Sequence, residues 1–305
     1  MIGAADVAGR LDWTRLVDAL AEGHRGPRPA LGDTFLSRGG DTLLSRAAWI
    51  DGLGVAVKSV TVLPENPARG RPSVQGAMLV FDDATGAVEA VIDSALVTKW
   101  KTAADSVLGA RLLARPEARR LLIVGAGAVA ASLVEAYGAV FPGLSVAVWA
   151  RRRDQAAALA ERADGIVEVA DDLPEAVAAA DIVATATMAR APVVRGAWLR
   201  PGQHLDLIGA FKADMREADD AALRRGRLFV DCRETTIGHI GELTIPIAAG
   251  VIGPGDVEGD LYDLVAGRAG RASAEEITLF KNGGGAHLDL MTGRAILAAW
   301  REARG

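Results

Sequence analysis

A short segment near the middle of the chain, residues 121–137, constrains the fold more than any other. It opens on four consecutive apolar residues, Leu121–Val124, continues with Gly-Ala-Gly, and ends in a run rich in alanine, valine and leucine. The four apolar residues are typical of a strand buried on both faces, and the later run is typical of a helix. The segment therefore predicts a strand, a tight glycine turn and a helix, as in the βα units of a parallel sheet.

The small residues of this turn have the spacing of a dinucleotide-binding site. Gly125 permits the tight turn, Gly127 lets the backbone approach a pyrophosphate, and Ala130 keeps the helix close to the strand. The first residues of the helix, Ala128 and Val129, lie where backbone N–H groups and the positive end of the helix dipole favour an anion. We therefore predict that this turn binds a dinucleotide cofactor.

The next strand along the chain indicates which dinucleotide is bound. It is predicted over Leu144–Trp149, and it ends about 20 residues or slightly more beyond the glycines, where an acidic residue would bind the ribose 2′-hydroxyl of NAD. No acid stands there, and the chain continues with Arg151 and Arg152. Guanidinium groups suit a 2′-phosphate in charge and in bidentate geometry. We expect NADP(H) to be preferred, with NAD(H) still possible.

Length and composition exclude several classes of protein. The 305 residues suit two domains of ordinary size. The net charge is −5 with no basic block, so nucleic acid is not an expected partner. No run of about 18 apolar residues is present, so no membrane span is expected. A single cysteine, Cys232, fits a reducing cytoplasm, and no two histidines have metal-site spacing, so no metal is expected.

Two patterns of secondary structure follow each other along the chain. The first third has short β-rich runs and then a helix, at Asp41–Ala48, Gly54–Val62, Val74–Asp82, Ala87–Asp93 and Ser94–Ala114. Beyond it, predicted strands alternate with predicted helices as far as residue 230, and the last of these helices is Met215–Arg225 with Arg216 and Glu217 as a pair at its start. The first pattern predicts a small α+β domain, and the second predicts a parallel α/β sheet of the Rossmann type.

A fold of this kind does not define a reaction, so the function has to be argued from side chains. Ligands of such sheets bind at the carboxyl ends of the strands, which makes Thr187 and Phe211 candidate site residues. Lys58 lies inside an apolar strand, where a cation is costly unless it meets an anionic partner. Lys101, early in the helix that follows, is a second candidate cation of the first domain.

Eight short motifs, taken in order, give the chain a resemblance to a known family. They are Lys58, Leu63–Pro67, Lys101–Ser106, Gly125–Ala130, Ile208–Ala210, Arg216–Asp219, Gly241–Leu243 and Ile277–Asn282. As a set they cover almost the whole chain, and they resemble the ornithine cyclodeaminase/mu-crystallin family. The resemblance implies homodimers in which the sheets of the substrate domains join across the dimer.

The resemblance also implies a domain division and a range of activities. The family has a Rossmann domain and a substrate domain built from both chain ends. We therefore expect residues 1–114, with 288–305, to form the substrate-binding and dimerisation domain, and residues 115–287 to form the Rossmann domain. Members bind a nicotinamide nucleotide and act at a carbon that carries both an amine or imine and a carboxylate.

Site roles follow from the resemblance position by position. Lys58 matches the family lysine that contacts the substrate carboxylate, and it is also our candidate proton donor. Lys101 stands where the family usually has an arginine, so the charge is kept and the bidentate fork is lost. Thr102, Ser73 and Asn282 match positions near the nicotinamide or the phosphates.

Phe211 separates the branches of the family. Cyclodeaminases carry an aspartate at this position, directly after the pair that corresponds to Gly209 and Ala210, and it holds the substrate amine. The family arginine expected near Asp33 is also missing, and Arg46 is the candidate substitute. We therefore expect reduction of a small, cyclic imino acid such as Δ1-pyrroline-2-carboxylate to the L-amino acid. Alternatives are ornithine cyclodeaminase, an alanine-dehydrogenase-like enzyme, and a protein that holds the nucleotide without turnover.

Overall fold

A computed structural model describes residues 1–163 and 166–304 of the chain. The chain divides into two compact units, one made of Met1–Lys101 with the segment from Gly285 onward, the other of Thr102–Gly284. The limits expected from the sequence, after residues 114 and 287, lie further along the chain. The first limit differs because one long helix, which begins at Ser94 and ends at Leu113, contributes residues to both units.

The regular elements are numbered in chain order. The strands are β1 (Ala30–Arg38), β2 (Asp41–Ile50), β3 (Gly54–Val62), β4 (Val74–Phe81), β5 (Val88–Asp93), β6 (Arg120–Val124), β7 (Ser145–Trp149), β8 (Val167–Val169), β9 (Ile182–Thr185), β10 (His204–Leu207), β11 (Gly226–Val230), β12 (Val257–Asp260) and β13 (Ile277–Lys281). The helices are α1 (Trp13–Gly23), α2 (Ser94–Leu113), α3 (Ala128–Val140), α4 (Arg153–Arg162), α5 (Leu173–Ala179), α6 (Asp220–Arg225), α7 (Arg233–Thr236), α8 (Gly241–Ala248), α9 (Leu261–Val265) and α10 (Ala286–Glu302). None of the helices within the described ranges is long and apolar enough to cross a membrane.

The first unit is built on an antiparallel sheet in the order β1-β2-β3-β4-β5. Side chains alternate between its faces, and in β3 the inner face carries Ala56, Lys58 and Val60. Helix α10 covers this face so closely that a Cβ at Gly293 would overlap the end of the Met78 side chain. Lys58 is therefore a buried cation under a helix.

The second unit is built on a parallel sheet in the order β12-β11-β13-β10-β9-β6-β7-β8. From β6 the chain moves outward through β7 and β8, and it then returns to the other side of β6 to form β9. The order therefore reverses between β6 and β9, and ligands of such sheets bind at this switch point, outside the carboxyl ends of the strands. The α/β class with a Rossmann sheet and a smaller α+β unit is confirmed.

The structure differs from the sequence-based expectation in several elements, among them three strands and the helix before β11. Strand β1 is exposed along almost its whole length, so it lacks the alternation that predicts a strand. Strands β12 and β13 were not predicted either. The predicted start of a helix at Met215 was wrong, because α6 begins at Asp220 after Asp219, whose carboxylate accepts a hydrogen bond from the N–H of Ala222.

Candidate active site

The glycine turn between β6 and α3 has the geometry expected of a pyrophosphate cradle. Gly125 has a φ of 127°, which favours glycine, and a Cβ there would press against the backbone of the loop after β9. Gly127 is the N-cap of α3, and a Cβ there would meet no atom within 4 Å, so the space beside it is open. Ala128 is exposed, Val129 is half-buried, and Ala130 is fully buried. The turn therefore fits an anion at the start of α3.

The arginines that follow β7 differ in what they contact. Arg153 forms an ion pair of 2.6 Å with Asp171, and both side chains are exposed. Arg151 and Arg152 lie just before it, at the carboxyl end of the strand next to β6, and both are exposed. Two guanidinium groups are thus accessible at the edge where the glycine turn lies.

A buried carboxylate joins the loops after β9 and β10. Glu217 accepts hydrogen bonds from the N–H and hydroxyl of Thr187, at 2.7 and 2.6 Å, and from the N–H of Gly209 at 2.6 Å. Its interpretation as part of a helix-start pair with Arg216 was wrong, because both residues precede α6 and Glu217 is fully buried. Nothing in the local sequence separates this role from that of an ordinary acid before a helix.

Thr102 and Asn282 are brought together in the second unit. The side-chain amide of Asn282 donates a hydrogen bond of 3.4 Å to the carbonyl oxygen of Thr102. The glycines that follow are held by Asp231, whose carboxylate accepts a hydrogen bond of 2.7 Å from the N–H of Gly284. Asn282 is buried and Thr102 half-buried, so the contact joins the start of this unit to the end of β13.

The first unit contains a buried ion pair of which only one member, Lys58, is predicted from the sequence. The Nζ of Lys58 donates to a carboxylate oxygen of Asp289 at 2.5 Å, and both residues are buried. The Nζ of Lys101 lies 4.0 Å from the same oxygen. The two predicted lysines therefore meet at one aspartate of α10, a residue with no local signal in the sequence.

A row of charged side chains crosses the sheet of this unit. Asp33, Arg46 and Lys58 are direct neighbours on β1, β2 and β3, so their side chains point to the same face. Arg46 donates to a carboxylate oxygen of Asp33 from Nη2 at 2.8 Å and from Nε at 3.0 Å. Arg46 thus lies beside Lys58, and Asp33 holds its guanidinium.

Burial and neighbouring charge set the protonation of this cluster. Burial lowers the pKa of Lys58 to about 8, helped by Lys101 and Arg46 and opposed by Asp289. The pKa of His287 is well below its usual range because the ring is buried among His24 and the cations. Cations thus outnumber carboxylates around Lys58, and the cluster favours an anionic ligand.

Two further predicted residues lie apart from these groups. Phe211 follows β10 in the second unit, is 56 % exposed, and has the Nζ of Lys212 5.5 Å from its ring centroid. Ser73 is half-buried just before β4 in the first unit, where its carbonyl oxygen accepts a hydrogen bond from the N–H of Leu63 at 2.8 Å.

Fold and side chains together define the class of protein. A Rossmann sheet with an open glycine turn in one unit and a buried cationic cluster in the other is typical of a dinucleotide-dependent enzyme whose substrate is an anion. The chain belongs to the ornithine cyclodeaminase/mu-crystallin family, whose sequence profile matches residues 49–304. The resemblance seen in the eight motifs is confirmed.

Known proteins similar to this chain include enzymes of imino-acid and amino-acid chemistry. The Δ1-pyrroline-2-carboxylate reductase of Paracoccus denitrificans is 62 % identical over 291 residues, which are 94 % of this chain and 92 % of that protein. The Thermococcus litoralis enzyme of the same name, solved with NADH and L-proline, has a TM-score of 0.91 at 28 % identity, covering 99 % of this chain and 97 % of that one. An archaeal alanine dehydrogenase dimer with bound NAD has a TM-score of 0.91 at 27 % identity, covering 100 % and 96 %.

Proposed function

We propose that this chain reduces Δ1-pyrroline-2-carboxylate to L-proline with a reduced nicotinamide nucleotide. The observation that carries the proposal is the buried pair of Lys58 and Asp289 beside Lys101, in a chain that is 62 % identical to a reductase of that name. The likeness to a structure that holds NADH and L-proline supports the same substrate class. The substrate is a planar anion in which the carboxylate adjoins the C=N bond.

The cationic cluster accounts for recognition of the substrate carboxylate. An ammonium group has three N–H donors, and the bond from Lys58 to Asp289 uses one of them. Lys101 and Arg46 add positive charge near Lys58. A carboxylate in this cluster gains charge-assisted hydrogen bonds, and holding it there orients the adjoining imine carbon for attack.

The same lysine accounts for the proton that the product needs. A nicotinamide nucleotide bound at the glycine turn would supply a hydride to the imine carbon, and a proton on the nitrogen would complete the conversion of C=N to CH–NH. Lys58, with a pKa of about 8, is protonated at neutral pH but gives up its proton more readily than an ordinary lysine. Asp289 accepts a hydrogen bond from this ammonium and keeps its nitrogen in place.

We infer a preference for NADP(H) within the nicotinamide nucleotides. Arg151 and Arg152 are exposed at the carboxyl end of β7, where an acid would serve NAD. Because Arg153 is engaged by Asp171, the first two arginines are the ones that we assign to the 2′-phosphate.

We also infer that the protein is a homodimer formed through the antiparallel sheet. The face opposite α10 carries large apolar side chains that are exposed, among them Leu36, Trp49 and Val88. The dimeric state of the similar archaeal alanine dehydrogenase supports a second copy of this chain as the partner. Light scattering should give twice the chain mass, and Trp49→Lys should shift the protein toward the monomer. A monomer at micromolar concentration would contradict the inference.

The cytoplasm is our inferred location for the enzyme. Its single cysteine, Cys232, has no partner for an internal disulfide, and burial raises the pKa of its thiol to about 12. Cell fractionation with an antibody would test this location.

The deciding experiment follows the absorbance of NADPH and of NADH on mixing the protein with Δ1-pyrroline-2-carboxylate. We expect consumption that is faster with NADPH and is lost in Lys58→Met, which keeps the side-chain length without the charge. The matched control is Lys99→Met, a lysine that is two residues away from Lys101 on α2 and exposed. Consumption with pyruvate and ammonia instead would indicate an alanine dehydrogenase. Release of ammonia from ornithine with catalytic NAD would indicate a cyclodeaminase.

A further inference from the structure

A buried carboxylate that the proposed reaction does not use lies beside the nucleotide-binding edge of the second unit. Besides the bonds to Thr187 and Gly209, Glu217 accepts hydrogen bonds from the hydroxyl of Thr185 at 2.8 Å and from the N–H of Ala210 at 3.3 Å. One side chain thus satisfies donors from the ends of two neighbouring strands, β9 and β10. Hydrogen bonds to an ionised acceptor are among the strongest in proteins.

The loops that Glu217 joins are in direct contact. A Cβ at Gly209 would overlap the main chain of Thr187 and approach the Glu217 carboxylate. A Cβ at Gly125, in the pyrophosphate turn, would come within 2.5 Å of the carbonyl oxygen of Ala186. The glycine turn and the loops after β9 and β10 therefore meet without room for a methyl group.

A second buried glutamate, Glu242, holds the backbone at Glu217 in place. The Glu242 carboxylate accepts hydrogen bonds from the N–H groups of Glu217 and Ala218, at 2.7 and 3.0 Å. The buried ammonium group of Lys281 interacts electrostatically with both glutamates. It also donates a hydrogen bond of 2.8 Å to the carbonyl oxygen of Leu207. A buried carboxylate of this kind persists only when donors and a counter-charge surround it.

Each of the two loops that Glu217 joins carries a large apolar side chain that is exposed to solvent. Met188, directly after Thr187, is 76 % exposed, and Phe211, directly after Ala210, is 56 % exposed. These two residues follow adjacent strands on the β6–β9 side of the sheet, at the edge where the glycine turn lies. Exposed apolar side chains beside a dinucleotide cradle suit a flat aromatic ring.

We propose that Glu217 is a positioning residue for hydride transfer, which fixes the loops carrying Met188 and Phe211 so that they hold the nicotinamide ring. The inference rests on the proposed function in one respect, that a nicotinamide ring binds at this edge. Glu217 touches neither the substrate nor the ring. Its effect passes through the backbone N–H groups of Thr187, Gly209 and Ala210.

The test is Glu217→Gln in the full-length protein. The amide keeps the size of the side chain, but its NH2 replaces one acceptor oxygen and faces backbone N–H donors. We expect the Kd for NADPH, measured by its fluorescence without imine, to rise about tenfold. A misplaced ring should lower kcat by about 10- to 100-fold. The primary isotope effect with 4-deuterated NADPH should increase because hydride transfer becomes slower, while the KM for the imine changes little.

The matched control is Asp181→Asn, at the amino ends of the strands of the same sheet. The Asp181 carboxylate accepts hydrogen bonds from the N–H groups of Arg119 and Arg120, at 2.8 and 3.0 Å, so it also ties two strands together. We expect this variant to lower the melting temperature and leave kcat and the isotope effect unchanged. If Glu217→Gln behaves in the same way, Glu217 is only structural and the positioning role is overturned.

Two further results separate this inference from the proposed reaction. If the wild-type protein reduces no imine, the proposed reaction fails, and weaker NADPH binding in Glu217→Gln but not in Asp181→Asn would then support only the part of the inference by which Glu217 holds the loops around the nucleotide. If the wild-type protein binds neither NADPH nor NADH, both are overturned. Should Glu217→Gln fail to fold, Met188→Ala decides, since an exposed side chain can be shortened without unfolding. The proposal requires a lower kcat and a raised isotope effect in that variant, and unchanged kinetics would overturn it.

Discussion

Replacing Asp289 by Asn isolates the electrostatic role of the buried pair. The change keeps the size of the side chain and removes the negative charge that lies 2.5 Å from the Nζ of Lys58. Asp289 is the group that raises the pKa of Lys58, whereas burial, Lys101 and Arg46 lower it. Loss of this carboxylate therefore lowers the pKa of Lys58 below its present value of about 8.

The size of the shift follows from the strength of the lost interaction. A hydrogen bond to a charged group contributes about 1.5–3 kcal/mol, and one pKa unit corresponds to about 1.4 kcal/mol. The pKa of Lys58 should thus fall from about 8 to roughly 6–7. At pH 7.5 the protonated fraction of Lys58 would drop from about three quarters to between roughly 3 % and a quarter.

The assay is the pH profile of kcat/KM for the imine. Protonated Lys58 both holds the carboxylate and supplies the proton, so activity falls as pH rises through its pKa. We expect the alkaline limb of the profile to move from about pH 8 to about pH 6–7 in Asp289→Asn. Below pH 6, where Lys58 is again protonated, kcat/KM of the variant should differ less from that of the wild-type protein. An unmoved alkaline limb would refute this account of Lys58.

A control variant separates charge from stability in the same unit. Glu89→Gln removes another carboxylate that pairs with α10, since Glu89 binds Arg294 and Arg301. Glu89 is not among the groups that shift the pKa of Lys58 most strongly, which are Asp289, Lys101 and Arg46. We expect it to lower the melting temperature and leave the alkaline limb in place.

Four other variants give separate tests. Replacing Arg151 and Arg152 together by alanine should raise the KM for NADPH by about tenfold and leave that for NADH unchanged, and equal changes would contradict the assignment. Burial holds the pKa of His204 at about 3, so only the unfolded chain takes up a proton there as pH falls through about 6.5. Between pH 7.5 and pH 5 the free energy of unfolding, measured with urea, should therefore fall by about 2 kcal/mol more in the native protein than in His204→Asn. An equal fall in the two proteins would show that His204 titrates in the folded state. Gly209→Ala should lower stability by about 1–3 kcal/mol and weaken nucleotide binding, because its Cβ would overlap the loop after β9. Gly138→Ala on α3, where a Cβ meets no atom within 4 Å, should stabilise the helix by up to about 1 kcal/mol.

The elements that the sequence predicts well are those with strong local signals. Strand β3 was predicted with its observed limits, Gly54–Val62, and α2 was predicted within one residue at its end. Strand β1 escapes prediction because its side chains are exposed on both faces, so pairing with β2, not burial, holds it in the sheet. Local pattern therefore predicts elements that bury one face and misses those held by a neighbour.

Site residues follow the same division. Lys58 could be predicted because a cation within an apolar strand needs a partner. Asp289 could not, since an acid in a helix is ordinary and its contact with Lys58 spans 231 positions of the chain. Glu217 was misread for a similar reason, because its partners Thr185 and Thr187 stand 32 and 30 residues before it in the sequence. The electrostatic partners of a site come from long-range contacts that carry no local signal.

The row formed by Asp33, Arg46 and Lys58 limits which insertions and deletions the chain can accept. Its members share a face only because β1, β2 and β3 are paired in one register. A single residue inserted within β2 before Arg46 would turn its guanidinium to the opposite face of the sheet while the hairpin could still form. Changes of length at the Gly39 turn, outside the paired residues, leave the row intact. The turn at Gly39 can therefore vary in length, whereas the insertion of one residue in β2 before Arg46 removes the Arg46 guanidinium from the charged row.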